Sequence, residues 1–388
     1  MKIIAAVLVF CSLVAVCGAA PVGDEVQLPV EILDQLSVQE VNRFVELVNE
    51  DLKYGAKIPE LNGETLRKIA AGGMDFSVEA VGGAFFRILF QEIILNVHLM
   101  GKLIFLAVLC SLLQNLQSAF AESSVALLAH SVCFVFLAVF ALNVFAEGIL
   151  LSAATVGNMV GFMEALLPLL LSLLAGVGAV MTAALFTPLM LMTVSVMGQI
   201  VKNAVLPLLL LTAVLECVNY LTGRYKLSNL AGILKQASLA VLGFSMVIFV
   251  GISSIQGAAG SVADGLALRT AKYAAGTFIP VLGKMFADTV ELMLGASLLL
   301  KNAVGIFGIM AIVLLCVIPL VKLVSLIIVI KTAGAIIQPL GDERLAQCLN
   351  AMGNNLLLVF AALLTVAIMF FLTITMILGM GNIALMLK

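Results

Sequence analysis

AVGIFGIMAIVLLCVIPLVKLVSLIIVI runs from Ala303 to Ile330 and carries one charge, Lys322, in 28 residues. A helix crosses the hydrocarbon core of a bilayer in about 20 apolar residues, so this run spans with length to spare. Similar runs fall at roughly 103–120, 125–151, 188–221, 237–256 and 355–380. Of the 388 residues, 63% are hydrophobic and 11% charged, against about 25% charged in a soluble domain. Backbone polar groups in lipid must be satisfied inside the segment, which leaves helices or closed barrels, and runs of this length are helical. The fold class is therefore all-α, a polytopic helical membrane protein with about six to eight membrane segments, broken or re-entrant ones included.

Outward from these runs, the composition changes only at the N-terminal end. MKIIAAVLVFCSLVAVCGAA, residues 1–20, places Lys2 before an apolar run and ends in small residues, the layout of a cleaved signal peptide. The mature N-terminus is then extracytoplasmic. Residues 21–100 read as an extracytoplasmic amphipathic helical region. Ser37 and Glu40 form a capping box, and Val38, Val41, Phe44, Val45 and Val48 follow at helical spacing. A second apolar helix, about 77–98, carries Arg87, Gln91, Glu92 and Asn96 and is expected on the membrane surface or against the bundle. Residues 101–388 form the transmembrane domain.

Topology follows from the basic residues. TGRYKLSNLAGILKQ, 222–236, and the loop holding Lys331 and Arg344 are expected on the cytoplasmic side. From an outside N-terminus this needs an odd number of crossings before residue 222. Between Glu164 and Lys202 lie 37 residues without a charge, too many for one span and few for two. Either a stretch around 165–187 enters and leaves on one side, or a short span is hidden there. Pro168 and Pro188, with Gly276 and Pro280 further on, are the candidate hinges.

Charges inside apolar runs are the candidate functional residues, because a bare charge at mid-bilayer costs about 2.5–3.5 kcal/mol on insertion scales. Glu164, Lys202, Asn203, Lys301 and Asn302 belong here. So do Lys284, Asp288 and Glu291, whose i, i+4, i+7 spacing places one cation and two anions on one helix face. That face either lines a water-filled path or lies at the interface in water. Lys202 and Lys301 either end spans by snorkelling or pair inside the bundle. Glu147, Glu216 and Lys322 are further intramembrane charges, and Glu164, ahead of Pro168, is the acid most suited to burial.

Other chemistries find little support. Cys110, Cys133, Cys217 and Cys316 lie in apolar runs as small hydrophobes, and Cys348 reads as solitary in a loop. His98 and His130 have no partner at ligand spacing, so neither a metal nor any other cofactor is expected. Gly283-Lys284 lacks the rest of a phosphate-binding loop, and no HExxH or GxSxG is present, so no enzymatic activity is expected. A net charge of −2 leaves no basic excess for nucleic acid. The lipid bilayer is the one partner the composition itself demands.

KNAV occurs twice, at 202–205 and 301–304, each copy followed by a long apolar run, a basic loop and one more span. Either 160–256 and 277–375 are duplicated halves, an arrangement that buries polar sites between repeats in transporters, or the four-residue match is coincidence.

ADGLALRTAKYAAGTFIPVLGKMFADTVELMLGASLLLKNAVG (263–305), PLVKL (319–323), IIQPLGDERL (336–345) and FMEALLPLLLSLL (162–174) together resemble stage III sporulation protein AE of endospore-forming Firmicutes. The resemblance covers most of the mature chain. It implies a protein of the mother-cell membrane surrounding the forespore, part of a multi-protein channel with an ATPase subunit and ring-forming membrane subunits. The protein would be the export gate or permease-like member, required for late forespore development. The family assigns no catalytic residues. A self-sufficient secondary transporter, using the 284–291 face with Glu164 or Lys202 to bind ion and substrate, is the competing reading.

Overall fold

The computed structural model describes residues 38–51, 59–70, 78–119, 124–221, 227–278, 283–340 and 343–386. The signal peptide and Pro280 lie outside them. Helix dominates, and no strand occurs among the described residues. Among the described residues two short amphipathic helices come first, α1 (Val38–Asp51) and α2 (Gly63–Ala70). As the spacing predicts, α1 buries Val41 and Val45. Its Asn42 grips the backbone of Leu61, donating to the carbonyl at 3.0 Å and accepting from the N–H at 2.7 Å. Asn62 caps α2 by accepting from the Thr65 N–H at 2.8 Å.

The surface helix expected over 77–98 and the span expected from 103 are one continuous helix, α3 (Val78–Ala119). No proline separates them, Gly101 faces open space, and Lys102 extends over the Phe140 ring at 5.9 Å. The apolar stretch long enough to cross is accordingly Arg87–Leu112. Helix α4 (Ser124–Gly176) runs unbroken through Pro168. It ends where Gly178 adopts φ 94° and the Gly178 and Ala179 N–H groups fold back onto Ala175 and Leu174 carbonyls, a Schellman-type stop. The chain returns as α5 (Val180–Ile200), through Pro188. The 165–187 stretch is thus the end of one long helix, a tight turn and the start of the next, rather than a separate re-entrant piece.

A five-residue π-helical stretch, Val201–Val205, joins α5 to α6 (Leu206–Leu221). The Leu206 N–H donates to the Val201 carbonyl, five residues back. Pro207 supplies a physical cause: it has no N–H for the Asn203 carbonyl and its ring crowds that turn, so the ladder widens just before it. Then come α7 (Ser228–Phe278), α8 (Gly283–Ile337, with Pro319 inside), a 3-10 turn Gln338–Leu340, and α9 (Glu343–Met386).

Among the described residues six helices are long and apolar enough to cross a membrane: Arg87–Leu112, Ser131–Gly176, Val180–Leu221, Ser228–Ile255, Gly295–Ile337 and Glu343–Met380. Helices α4, α7 and α8 have 53, 51 and 55 residues, about 80 Å each at 1.5 Å per residue, well beyond a core of about 30 Å. The antiparallel α8–α9 hairpin is the hub. The spans in α8 and α9 are 67% and 61% buried within the bundle, against 17% for that in α3. Hydrophobicity all round α8 and α9 makes this hub, since a helix without a polar face packs on every side.

Candidate functional site

Lys301 sits on the hub and is wholly buried, 0% exposed. Its Nζ donates to the Leu378 carbonyl at 3.0 Å and the Ile377 carbonyl at 3.5 Å, on α9. The snorkelling alternative does not hold for this lysine. The side chain points across the hairpin, and backbone carbonyls replace the water it gives up. Asn302 beside it is half-buried. The other KNAV lysine behaves differently: Lys202 and Asn203 are both exposed on the π-helical stretch. Lys202 extends over α4, its Nζ 3.6 Å from where a β-carbon on Gly157 would stand. Glu164, also exposed, lies two turns further along the same face of α4. The structure therefore brings Glu164 and Lys202 to one flank, and sends Lys301 to the interior.

A second polar cluster joins α6 to α9. Asn355, 0% exposed, donates its amide to Glu216 Oε2 at 2.7 Å, and its Oδ1 has no partner. Two turns back along α9, and next to Glu216 on α6, the Cys348 and Cys217 thiols meet at 3.3 Å, both buried. Cys348 is thus neither solitary nor in a loop, but on the inner face of α9 with Leu345, Leu349, Met352 and Leu356. That i, i+3, i+4, i+7 spacing is present in the sequence and is the signal that finds it. Asn355 carries no such signal; only its partner on a distant helix makes it notable. A third polar contact, Asn96 to Ser325 Oγ at 3.3 Å, ties α3 to α8 beside Glu92, which is buried. The α8–α9 turn carries a cleft of about 270 Å³ lined by Lys331, Gln338, Glu343 and Asn350, where Lys331 donates to Asn354 Oδ1 at 2.7 Å. Among the described residues no three His, Cys, Asp or Glu side chains come together as a metal site would require.

Lys284, Asp288 and Glu291 fall in the first turns of α8, so their spacing does place them along one face; their side chains lie outside the described residues. Gly276 is helical, in the last turn of α7, and Pro168 and Pro188 lie within helices. Among the described residues the glycine with a positive φ, at a tight reversal, is Gly178.

Two contacts order the ends of the bundle. The Glu216–Asn355 and Cys217–Cys348 pairs bring the basic α6–α7 and α8–α9 turns to the same end. A β-carbon on Gly176 would stand 3.3 Å from Ser297 Oγ, which puts the α4–α5 turn level with the beginning of the α8 span. Among the described residues three candidate spans precede residue 222, an odd number, as cytoplasmic basic loops together with an outside N-terminus would need.

A family model for stage III sporulation protein AE matches residues 62–381. The chain is also 37% identical to the stage III sporulation protein AE of Bacillus subtilis (strain 168), over 99% of this chain and 98% of that protein. No solved structure matches it. With a match that extends over every candidate span and a similarity that covers nearly the full length of both chains, the chain belongs to the stage III sporulation protein AE family.

Proposed function

We propose that this protein is the membrane-embedded, permease-like subunit of a multi-protein sporulation channel joining mother cell and forespore. In this reading it resides in the mother-cell membrane around the forespore, with its mature N-terminus extracytoplasmic. An ATPase subunit and ring-forming membrane subunits are its partners. It acts by assembly and gating, without a cofactor and without catalysis.

The observation that carries the reading is the solid centre of the bundle. Phe307, Ile312, Leu320 and Leu323 of α8 and Leu356, Leu363 and Phe370 of α9 are all 0% exposed. Side chains packed to that density leave no water-filled lane between the two central helices. A conduit would run outside this hub and need neighbours to close it. Membership in a stage III sporulation protein family supports a reading in which other sporulation proteins are those neighbours.

Reconstitution tests it. The purified chain in proteoliposomes is expected to move no small solute, and movement to appear only with the other channel subunits present. Flux through the chain alone, driven by an ion gradient, would instead support a self-sufficient secondary transporter. In cells, Lys284→Gln, Asp288→Asn and Glu291→Gln combined is expected to lower spore yield by at least an order of magnitude. Unchanged yield would remove this face from the conduit.

A further inference from the structure

We propose that the α4–π flank is an interface with a second copy of this chain. Its centre is Gly157, with Lys202 and Asn203 on one side and Glu164 two turns along. Exposed positions recur down this face of α4 in the order Glu147, Leu150, Ala154 and Glu164, with Gly157 and Gly161 half-exposed among them. Gln199 and Asn203 flank it from the neighbouring helix, both exposed. No ion pair or hydrogen bond satisfies Glu164 or Lys202 among the described residues, although both lie within candidate spans.

Lipid is a poor cover for this face. Elsewhere the perimeter presents what lipid requires, such as Phe105 at 68% exposure on α3 and Phe244 at 68% on α7. Here carboxylate, ammonium and amide groups stand in the open beside small residues, the combination that membrane helices use to meet other helices closely. The π-helical stretch aims Lys202 and Asn203 outward in the middle of a 42-residue apolar segment, and such stretches recur at functional positions.

Charge selects the occupant. The flank carries both signs on one surface, Glu164 about 10 Å along the helix from the level of Lys202. Side chains of this length bridge that offset between two copies in the same orientation, each lysine reaching the carboxylate opposite. A two-fold contact uses the same patch twice and has to be self-complementary, as this one is. Helix α1 borders the patch, Phe44 packing on Gly161 and against Phe162 with ring centroids 6.1 Å apart.

Cysteine crosslinking in native membranes tests the proposal. A β-carbon at Gly157 meets only the tip of Lys202, so Gly157→Cys is sterically tolerated. Under a mild oxidant, Gly157→Cys and Leu150→Cys are each expected to give a disulfide-linked dimer of this chain. Val247→Cys, on the lipid-facing side of α7, and the unmodified chain should give none. Glu164→Lys or Lys202→Glu should each lower the dimer yield several-fold, and the double exchange should restore it. Purified Gly157→Cys protein in nanodiscs should crosslink likewise. A monomer at both positions, or crosslinking to a different channel subunit in place of a second copy, would overturn the proposal. These outcomes are separate from the flux assay, since a dimer can form whether or not it conducts.

Discussion

Lys301 shows how far a single residue's role depends on its surroundings. Its ammonium is surrounded by apolar side chains and held by two carbonyls that already belong to the α9 ladder. Lys301→Met removes the charge and keeps the length, and replacing a buried charge by an apolar group of similar volume is often neutral or stabilising. We expect its thermal midpoint in detergent to stay within a few degrees of the parent. Lys301→Glu presents a carboxylate to two carbonyl oxygens and is expected to destabilise the fold by about 3–5 kcal/mol. A midpoint unchanged in both variants would mean that the lysine is not buried as described. The Cys217–Cys348 pair gives a second residue-scale prediction. Two thiols at 3.3 Å should oxidise with copper phenanthroline to an intrachain disulfide, with a mass loss of two hydrogens that Cys217→Ser abolishes.

Among the elements, the Val201–Val205 stretch is the one whose geometry most affects its neighbours. A π turn is an α-helix with one residue too many, so deleting Ala204 should let the ladder close as a regular helix. Helices α5 and α6 would keep their relative faces, because the wide turn had absorbed the extra residue, and what is lost is the bulge that sets Lys202 and Asn203 outward. Circular dichroism should be unchanged while spore yield falls by orders of magnitude; a variant that sporulates normally would show that the π turn has no part in function. The sequence announces this element only weakly, through Pro207, and Pro168, Pro188 and Pro319 sit in helices that continue regardless. Proline marks where a ladder lacks one donor. Whether the helix bends, widens or continues depends on what its neighbours offer the freed carbonyl.

At the scale of the whole molecule, the three spans before residue 222 and the contacts between α6 and α9 place the two basic turns at one end of the bundle. Topology reporters fused after residues 224 and 341 are expected to share a compartment, and reporters after 178 and 386 to share the opposite one. Any other pairing would break the six-span arrangement. The α8–α9 hairpin at the centre also predicts where the fold is least tolerant. Polar substitutions at Phe307 or Leu363 should abolish stable insertion, whereas the same changes at the exposed Phe90 or Leu189 should not.

Class and the number of long apolar segments were written in the sequence, because apolar length acts locally and needs no partner to be read. Burial was not. KNAV appears twice in identical letters, yet one lysine is enclosed by a hairpin and the other lies open on a flank. Cys348 and Asn355 look unremarkable until α6, more than 120 residues earlier, is laid against them. Where every helix is apolar on most sides, hydrophobic pattern cannot say which face meets which neighbour. Close packing, small residues and the need to satisfy each buried polar group make that choice, and they exist only once the helices are assembled.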